Sequence, residues 1–475
     1  MPATSRLVAA AMVLGVGGCA AVDPRAGLPD VERLVTERGN LLVSAPADPD
    51  AAREVDGTVS DLLHRDVTVE SAVRIALLNN RGLRALYREL GVPEAELVQA
   101  GLLPNPVLTA NFRWGTGPSG FGAEMGLIQD VISALQIPLR RRVAKADLER
   151  AKLEVAAAVL DLALDTKTAF YRLQGAMQML ELRRTVVTAL AISRDLAERR
   201  RAAGNITELE LSAEQALHEE AKVELAVAEA NVLTEREELN ALLGLWGEQT
   251  QWTMADRLPP LPGDVIPPTG LESLAVSQRL DLEARRTQGA ATLAELDLTR
   301  VYGLIPSASM GLAAEREIEE GWSVGPAIDI PVPLFDQSQA RIARSEALLG
   351  ANDERLAALA VEIRAEVRRA RTRLEAARLR AAYYEAVLLP LQSRLVEETH
   401  RQYNAMQIGP LQLLQAKRQE IDVGRRYVET LTEYWLARTE VERAVGGEIA
   451  LTPGAEAAPA GDTAGSPPAH QDHGG

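Results

Sequence analysis

A chain of 475 residues is long enough for two or three ordinary domains. Only 4% of it is aromatic, with four Phe, while Leu, Ala, Glu and Arg dominate; that mix excludes a thick globular core and suits long helices packed through thin seams. The net charge of −16 argues against a nucleic-acid partner, and a single cysteine rules out an intrachain disulfide.

The first elements concern export. Arg6 gives a positive start, Leu7 to Val16 form a short apolar run, and Val16-Gly17-Gly18-Cys19 supplies small residues before the cysteine. The run is too short to span a bilayer, so residues 1–18 are expected to be a signal peptide. The segment resembles a bacterial lipoprotein signal, which implies Cys19 as the lipid anchor. Ala20 follows where an aspartate typically retains lipoproteins in the inner membrane, so the resemblance implies the outer membrane. No later stretch has 18 uninterrupted apolar residues, so no transmembrane helix is expected. Residues 19–67 carry Pro24, Pro29, Pro46 and Pro49 and are expected to be extended, without a core of their own.

Helical signals begin at Thr68, an N-cap with Glu70 and Ser71 close behind, and Ala72, Ile75, Ala76, Leu83 and Leu86 form the stripe. Pro104-Asn105-Pro106 stops that pattern. Leu108, Ala110, Phe112 and Trp114 then alternate with Thr109, Asn111 and Arg113, and Phe121, Ala123, Met125 and Leu127 alternate with Gly122, Glu124 and Gly126. This is a strand hairpin, placed at 105–138 because Ile137-Pro138 closes it. No proline occurs from Leu139 to Leu258; Leu153, Ala157, Leu160, Leu164 and Phe170, Leu173, Met177, Leu180 are coiled-coil-like seams. A helical hairpin over 139–244 follows, turning at Gly204-Asn205.

The chain then repeats itself. Gly101-Leu102-Leu103-Pro104 is echoed by Gly303-Leu304-Ile305-Pro306, an offset of 202. The same offset relates Ile206, Leu209, Leu211, Arg236 and Gly244 to Ile408, Leu411, Leu413, Arg438 and Gly446. The chain therefore reads as a first repeat over 68–258, a second over 259–446 and a disordered tail over 447–475. In the second repeat, Met310, Leu312, Ala314, Trp322, Val324, Ile328 and Ile330 alternate with small or polar residues in a strand hairpin at 306–333. Because the offset is even, Leu108 and Met310 keep the same facing. The helical hairpin spans 336–446, with Pro390 expected to kink its outgoing helix.

Strands of about ten residues cross a tilted barrel wall, but four strands leave open edges that lipid does not tolerate. Closure needs several chains; three would supply a 12-stranded membrane β-barrel and an α-barrel of long helices. The expected fold class is thus α+β, mostly α: long antiparallel helical hairpins forming an α-barrel, plus two strand hairpins contributing to a trimeric β-barrel. A water-soluble coiled-coil protein with two peripheral hairpins fits the same alternation.

From Thr68 to Gly446 the chain resembles the TolC-type outer-membrane efflux proteins. The residues that carry this are Ala76-Leu77-Leu78-Asn79-Asn80, Ala100 to Pro106, Ala275 to Ala284 with Leu280 where the family has proline, and Gly325-Pro326 leading to Ile330-Pro331 and Pro333-Leu334-Phe335-Asp336. The family's hairpin turns resemble Arg-Tyr-x-x-Gly; here they read Arg200-Arg201-Ala202-Ala203-Gly204, with Arg201 at the aromatic position, and Gln402-Tyr403-Asn404-Ala405-Met406, with Met406 at the glycine position. The resemblance implies a homotrimer, outer-membrane lipid around the barrel, and a periplasmic adaptor and inner-membrane pump as partners. It implies that Gly204, Asn205, Ile206, Met406, Gln407, Ile408 and Gly409 form tips that meet the adaptor.

No catalytic group or cofactor is expected. His64, His218, His400, His470 and His473 show no zinc-type spacing, and no nucleophile elbow or phosphate loop occurs. His470 and His473, with Asp472, sit in the tail and read as solvated. Gln412, Gln415, Gln419 and Asp422 are spaced 3, 4, 3 on one helix face. Either they are a solvated stripe or, repeated by symmetry, they form a pore constriction whose Asp422 ring attracts cations. The competing functional reading is a periplasmic coiled-coil adaptor or scaffold lipoprotein.

Overall fold

The computed structural model describes residues 23, 25–43, 49–114, 121–263, 269–317 and 321–449. Cys19, His470 and His473 lie outside them. Five short helices come first: α1 (Leu28–Gly39), α2 (Pro49–Leu63), α3 (Val69–Asn79), α4 (Arg81–Glu89) and α5 (Gly91–Ala100). Strands β1 (Val107–Trp114) and β2 (Phe121–Asp130) lead into α6 (Ile132–Ala202) and α7 (Glu208–Leu243). The second half runs α8 (Leu271–Gln278), α9 (Leu280–Tyr302), β3 (Ser309–Arg316), β4 (Trp322–Asp329) and α10 (Gln339–Tyr383). A π-helical turn over Tyr384–Leu388 joins α10 to α11 (Leu389–Asn404), and α12 (Pro410–Val445) ends the described fold. At 71 residues, α6 is about 105 Å long. Among the described residues no helix is long and apolar enough to cross a membrane.

Three expectations are corrected. The segment before Thr68 is not extended: it forms α1 and α2, and Val31, Val35, Val55 and Val59 are buried. Pro29 and Pro49 sit in the first turn of each helix, where a missing N–H costs nothing. The first strand hairpin ends at Asp130, not Pro138. Asp130 Oδ1 accepts from the backbone N–H groups of Ile132 and Ser133 and so starts α6 seven residues early, with Pro138 inside the helix. Gly447 to Ile449 do not belong to a disordered tail: Ile449 is buried, and Glu448 N–H donates to Arg38 O over 2.8 Å.

The four strands form one antiparallel sheet in the order β1-β2-β3-β4. Direct cross-strand partners include Leu108–Leu127, Leu127–Leu312 and Leu312–Pro326, so the even offset does preserve facing. The apolar core is not inside this sheet or along the helical tube. It forms a waist where the short helices wrap the middle of α6 and α10 and the C-terminal ends of α7 and α12, around Ile75, Leu173, Leu239, Leu243, Ile363, Trp252 and Trp435. A second cluster ties α1 to α6 and α9 through Val31, Val35, Leu153, Val159 and Leu280. Lys152 is buried beside it, with Nζ 2.8 Å from Asp30 and 3.0 Å from Glu149. Burial opposes its charge, but the two carboxylates hold its pKa above the ordinary value.

The waist contains one joint made twice. Asn80 (φ −61°, ψ 120°) breaks α3 from α4, and Arg279 (φ −62°, ψ 116°) breaks α8 from α9. Each break docks against the end of the returning helix. Asn79 Nδ2 donates to Leu243 O and Gly244 O, and Asn80 Nδ2 to Leu242 O. Arg279 reaches Ala444 O while pairing with Asp281 at 2.7 Å and Glu366 at 2.9 Å. Both returning helices end on a left-handed glycine, Gly244 (φ 68°) and Gly446 (φ 84°).

The joint can be tested against the tip. A Cβ at Gly244 would lie 2.9 Å from Asn79 O, whereas one at Gly204 (φ 75°) would meet nothing within 4 Å. Gly204→Ala should cost only the left-handed penalty of about 1–2 kcal/mol. Gly244→Ala should lower the thermal midpoint of the purified protein clearly further; equal losses would contradict the joint.

Candidate functional site: two tips and a charged tunnel face

Helices α6 and α10–α11 run out to the tips, and α7 and α12 return. At the first tip Gly204 N–H donates to Arg201 O and Asn205 N–H to Arg200 O; at the second, Met406 N–H donates to Tyr403 O and Gln407 N–H to Gln402 O. Every bond is shifted by 202. Met406 (φ 57°) adopts the left-handed conformation that Gly204 adopts at no steric cost. The returning helices are capped at the same offset. Thr207 Oγ1 accepts from Glu210 N–H while Thr207 N–H donates to Glu210 Oε2; Gly409 N–H donates to Gln412 Oε1 over 2.9 Å.

The tips nevertheless differ chemically. Arg201 bridges its turn to Glu208 at 3.0 Å, and the second tip has Tyr403 and Pro410 at those positions. Gly204, Asn205, Met406 and Gln407 are exposed, Ile206, Ile408 and Gly409 half-buried, and the Met406 side chain is 93% in solvent. Glu214, ten residues past Gly204, meets Arg418, twelve past Met406, at 3.0 Å, which sets the two tips nearly level.

The polar stripe of α12 is present as a face. Gln415 and Gln419 are exposed, Gln412 serves the helix cap, and Asp422 is half-buried. Asp422 is not a bare anion. Arg425 lies 2.7 Å away and Arg426 3.0 Å, and the Arg425 hydrogen bond, followed by the charges of both arginines, holds its carboxyl below the usual range. Arg425 also holds Glu429 at 2.6 Å, so the cluster pairs two arginines with two carboxylates rather than presenting an anionic ring.

The stripe runs on toward the waist, which inspection of residues 412–422 alone missed. At heptad spacing it continues through Arg426, Glu433 and Glu440 into a groove of about 530 Å³ between α6, α10 and α12. Three ion pairs line it, Arg380–Glu433 at 2.7 Å, Arg373–Glu440 at 2.6 Å and Arg443–Asp165, and Arg443 also reaches Asp161 just outside it at 3.1 Å. Burial raises the Asp161 pKa against the pull of Arg443. The signal was available: the same 3-and-4 spacing persists along the helix. Among the described residues no cluster of three His, Cys, Asp or Glu is placed to hold a metal.

This geometry defines a class: a wall segment of a tube, with a sheet at one end, paired helical tips at the other and a polar face between. Comparison with known proteins agrees. Residues 72–245 match the family model described as outer membrane efflux protein. The chain is 24% identical to the cobalt-zinc-cadmium resistance protein CzcC of Cupriavidus metallidurans over 396 residues, 80% of this chain and 90% of that one. It shares the fold of the Campylobacter jejuni CmeC outer membrane channel (TM-score 0.68, 16% identity, covering 86% of this chain and 90% of that one). It also shares that of the Neisseria gonorrhoeae MtrE outer membrane channel (TM-score 0.63, 15% identity, covering 80% and 89%). The first repeat thus matches the outer membrane efflux protein family, and the chain over most of its length has the fold of outer membrane channels.

The Asp422 pairing gives a signed expectation. Asp422→Ala removes the carboxylate from Arg426 and leaves Arg425 with Glu429 alone, so planar-bilayer reversal potentials should shift toward anion selectivity if this face lines the pore. An unchanged potential would mean that it does not. Because the folded-state pKa is lowered, the pairing is intact at neutral pH and is lost only as pH falls through that lowered value. The contribution of Asp422 to selectivity should therefore persist until the pH falls below the ordinary carboxylate range.

Proposed function

We propose that the chain is the outer-membrane channel-tunnel of a tripartite efflux or secretion system, a passive conduit from periplasm to exterior that works as a homotrimer. The observation that carries this is the two-faced sheet. One face holds Leu108, Phe112, Met125, Leu127, Leu312, Val324 and Ile328, all exposed, with Gln129 and Arg316 only at its ends. Phe112, Trp114 and Phe121 cluster within 6.5 Å near the loop end, as an interfacial aromatic girdle would. The other face carries Thr109, Asn111, Arg113, Glu124, Glu315 and Ser323 among glycines and alanines, with Val107 and Ile128 paired at its helical end. An exposed apolar band backed by a polar face suits a barrel wall between lipid and water.

A periplasmic adaptor or scaffold has no use for that band, and the two full helical hairpins exceed what an adaptor needs. The tips, with Met406 and Gln407 foremost, are the contact offered to the adaptor, and the inner-membrane pump supplies the energy. Cys19 supplies the lipid anchor. Similarity to a cobalt-zinc-cadmium resistance protein makes heavy-metal cations the first cargo class to test. A deletion strain should be sensitised to cobalt, zinc or cadmium; sensitivity to organic drugs alone would redirect the cargo assignment.

The barrel is tested residue by residue. Leu108→Arg places a charge in lipid and should cost about 2–4 kcal/mol of insertion, so that the protein disappears from the outer-membrane fraction. Thr109→Arg, one residue away on the other face, should insert normally. Equal behaviour of the two variants, or release of the wild type by salt alone, would rule out the barrel.

A further inference from the structure

Where the sheet passes into α6, the chain carries cations that nothing in it neutralises. Val131, Leu135, Pro138, Arg142 and Lys145 recur at steps of four and three, so they form one line along the start of α6. All five are exposed. Both flanks of α6 at this level are occupied by its own chain. Gly101, at the end of α5, lies against the Arg141 side chain, and Tyr302, at the end of α9, donates its hydroxyl to Leu135 O over 2.9 Å. The line therefore looks either into the tube or out of it.

Parity decides which. The apolar face of the sheet holds the odd positions of β2, among them Met125, Leu127 and Gln129. Val131 is the next odd position, and its N–H still donates to Ala308 O, one step beyond the Asp130–Ser309 pair. The line thus continues the apolar face of the sheet, not its polar one. Exposed Leu103 and Leu304 border it, on loops held by the bonds of Gln129 to Pro104 O and Gln136 to Pro306 O.

The chemistry changes along the line. Its first part is apolar; Arg142 and Lys145 then lie about 6 and 10 Å beyond Pro138, at 1.5 Å per residue. Arg141, also exposed, stands beside them. None of these three cations has an ion-pair or hydrogen-bond partner among the described residues, in a chain whose net charge is −16. Their surroundings differ. Further along α6, Arg150 is paired with Asp147 and Glu154, and Lys152 with Asp30 and Glu149. In the second repeat Arg341 and Arg344 are paired with Asp336 and Glu295. A bilayer has a headgroup layer roughly 5–8 Å deep on each side of its hydrocarbon. Long cationic side chains reach into such a layer while their stems lie on apolar surface.

We propose that Arg141, Arg142 and Lys145 bind an anionic phospholipid of the periplasmic leaflet, its phosphate among the three cations and its chains against Val131, Leu135 and Leu103. This rests on the barrel reading above and adds which lipid borders it. In the test the full chain is inserted into phosphatidylcholine vesicles and extracted in mild detergent. It is then titrated with phosphatidylglycerol, or with phosphatidylcholine of the same chains, and bound lipid is counted by native mass spectrometry. The wild type should take phosphatidylglycerol first. At about fivefold per juxtamembrane cation, the triple variant Arg141→Gln/Arg142→Gln/Lys145→Gln should bind it about a hundredfold more weakly and phosphatidylcholine no differently. Arg140→Gln, half a turn around the helix from the line, should bind it as the wild type does. Equal loss in both variants, no preference in the inserted wild type, or displacement of the lipid by excess inorganic phosphate overturns the site and leaves the barrel standing. A wild type that does not insert overturns the barrel reading itself.

Discussion

Every part of this chain answers to one constraint: backbone and apolar edges cannot be left open. The sheet has four strands, so β1 and β4 each present an unpaired ladder. In lipid each unpaired amide or carbonyl costs several kcal/mol. The helical layer has the same problem in weaker form, with seams on α7 and on α10–α11 exposed. A single copy cannot satisfy either. What it can do is hold its two helical hairpins side by side with their tips nearly level.

The waist holds that arrangement. Tube walls one helix thick bury little, so the apolar area that stabilises the fold is concentrated where α1 to α5 and α8 wrap the long helices. The duplicated joint places each helix break against a left-handed glycine on the returning helix. In the first repeat the amides of Asn79 and Asn80 supply the carbonyl partners; in the second a guanidinium does, fixed by Asp281 and Glu366. Burial raises the pKa of Asp281, but Arg279 outweighs it and leaves the carboxyl lowered, so the joint is charged and paired at neutral pH. Ala76 to Asn80 and Ala275 to Ala284 carry the family resemblance, and they are the residues that build this joint.

The sequence showed what repeats and what alternates. The offset of 202 relates tips and helix ends that match bond for bond, and caps that share one bond of two, because local hydrogen bonding depends on local residues. It foretold the sheet facing, because a side chain's face follows from parity alone. It did not foretell α1 and α2, whose prolines read as breakers when they are helix starters. Nor did it foretell the start of α6, where Asp130 captures two amides that strand alternation cannot reveal. In the candidate site, the stripe at Gln412 to Asp422 was legible from spacing. Its electrostatics were not, since they depend on which arginine rotamers reach Asp422, and the facing groove depends on α6 and α10 arriving from far away in sequence.

The differences between the copies then become the informative part. The first repeat returns through an acidic helix, and the second goes out through a basic one. Glu224 illustrates how far the divergence goes: it faces Arg183 within its own hairpin, and its equivalent is Arg426, beside Asp422 on the polar face of α12. The duplication supplied two hairpins of equal length, and the divergence of charge made them complementary. Length sets the two tips nearly level, and charge distinguishes the helix that returns in the first repeat from the one that leads out in the second.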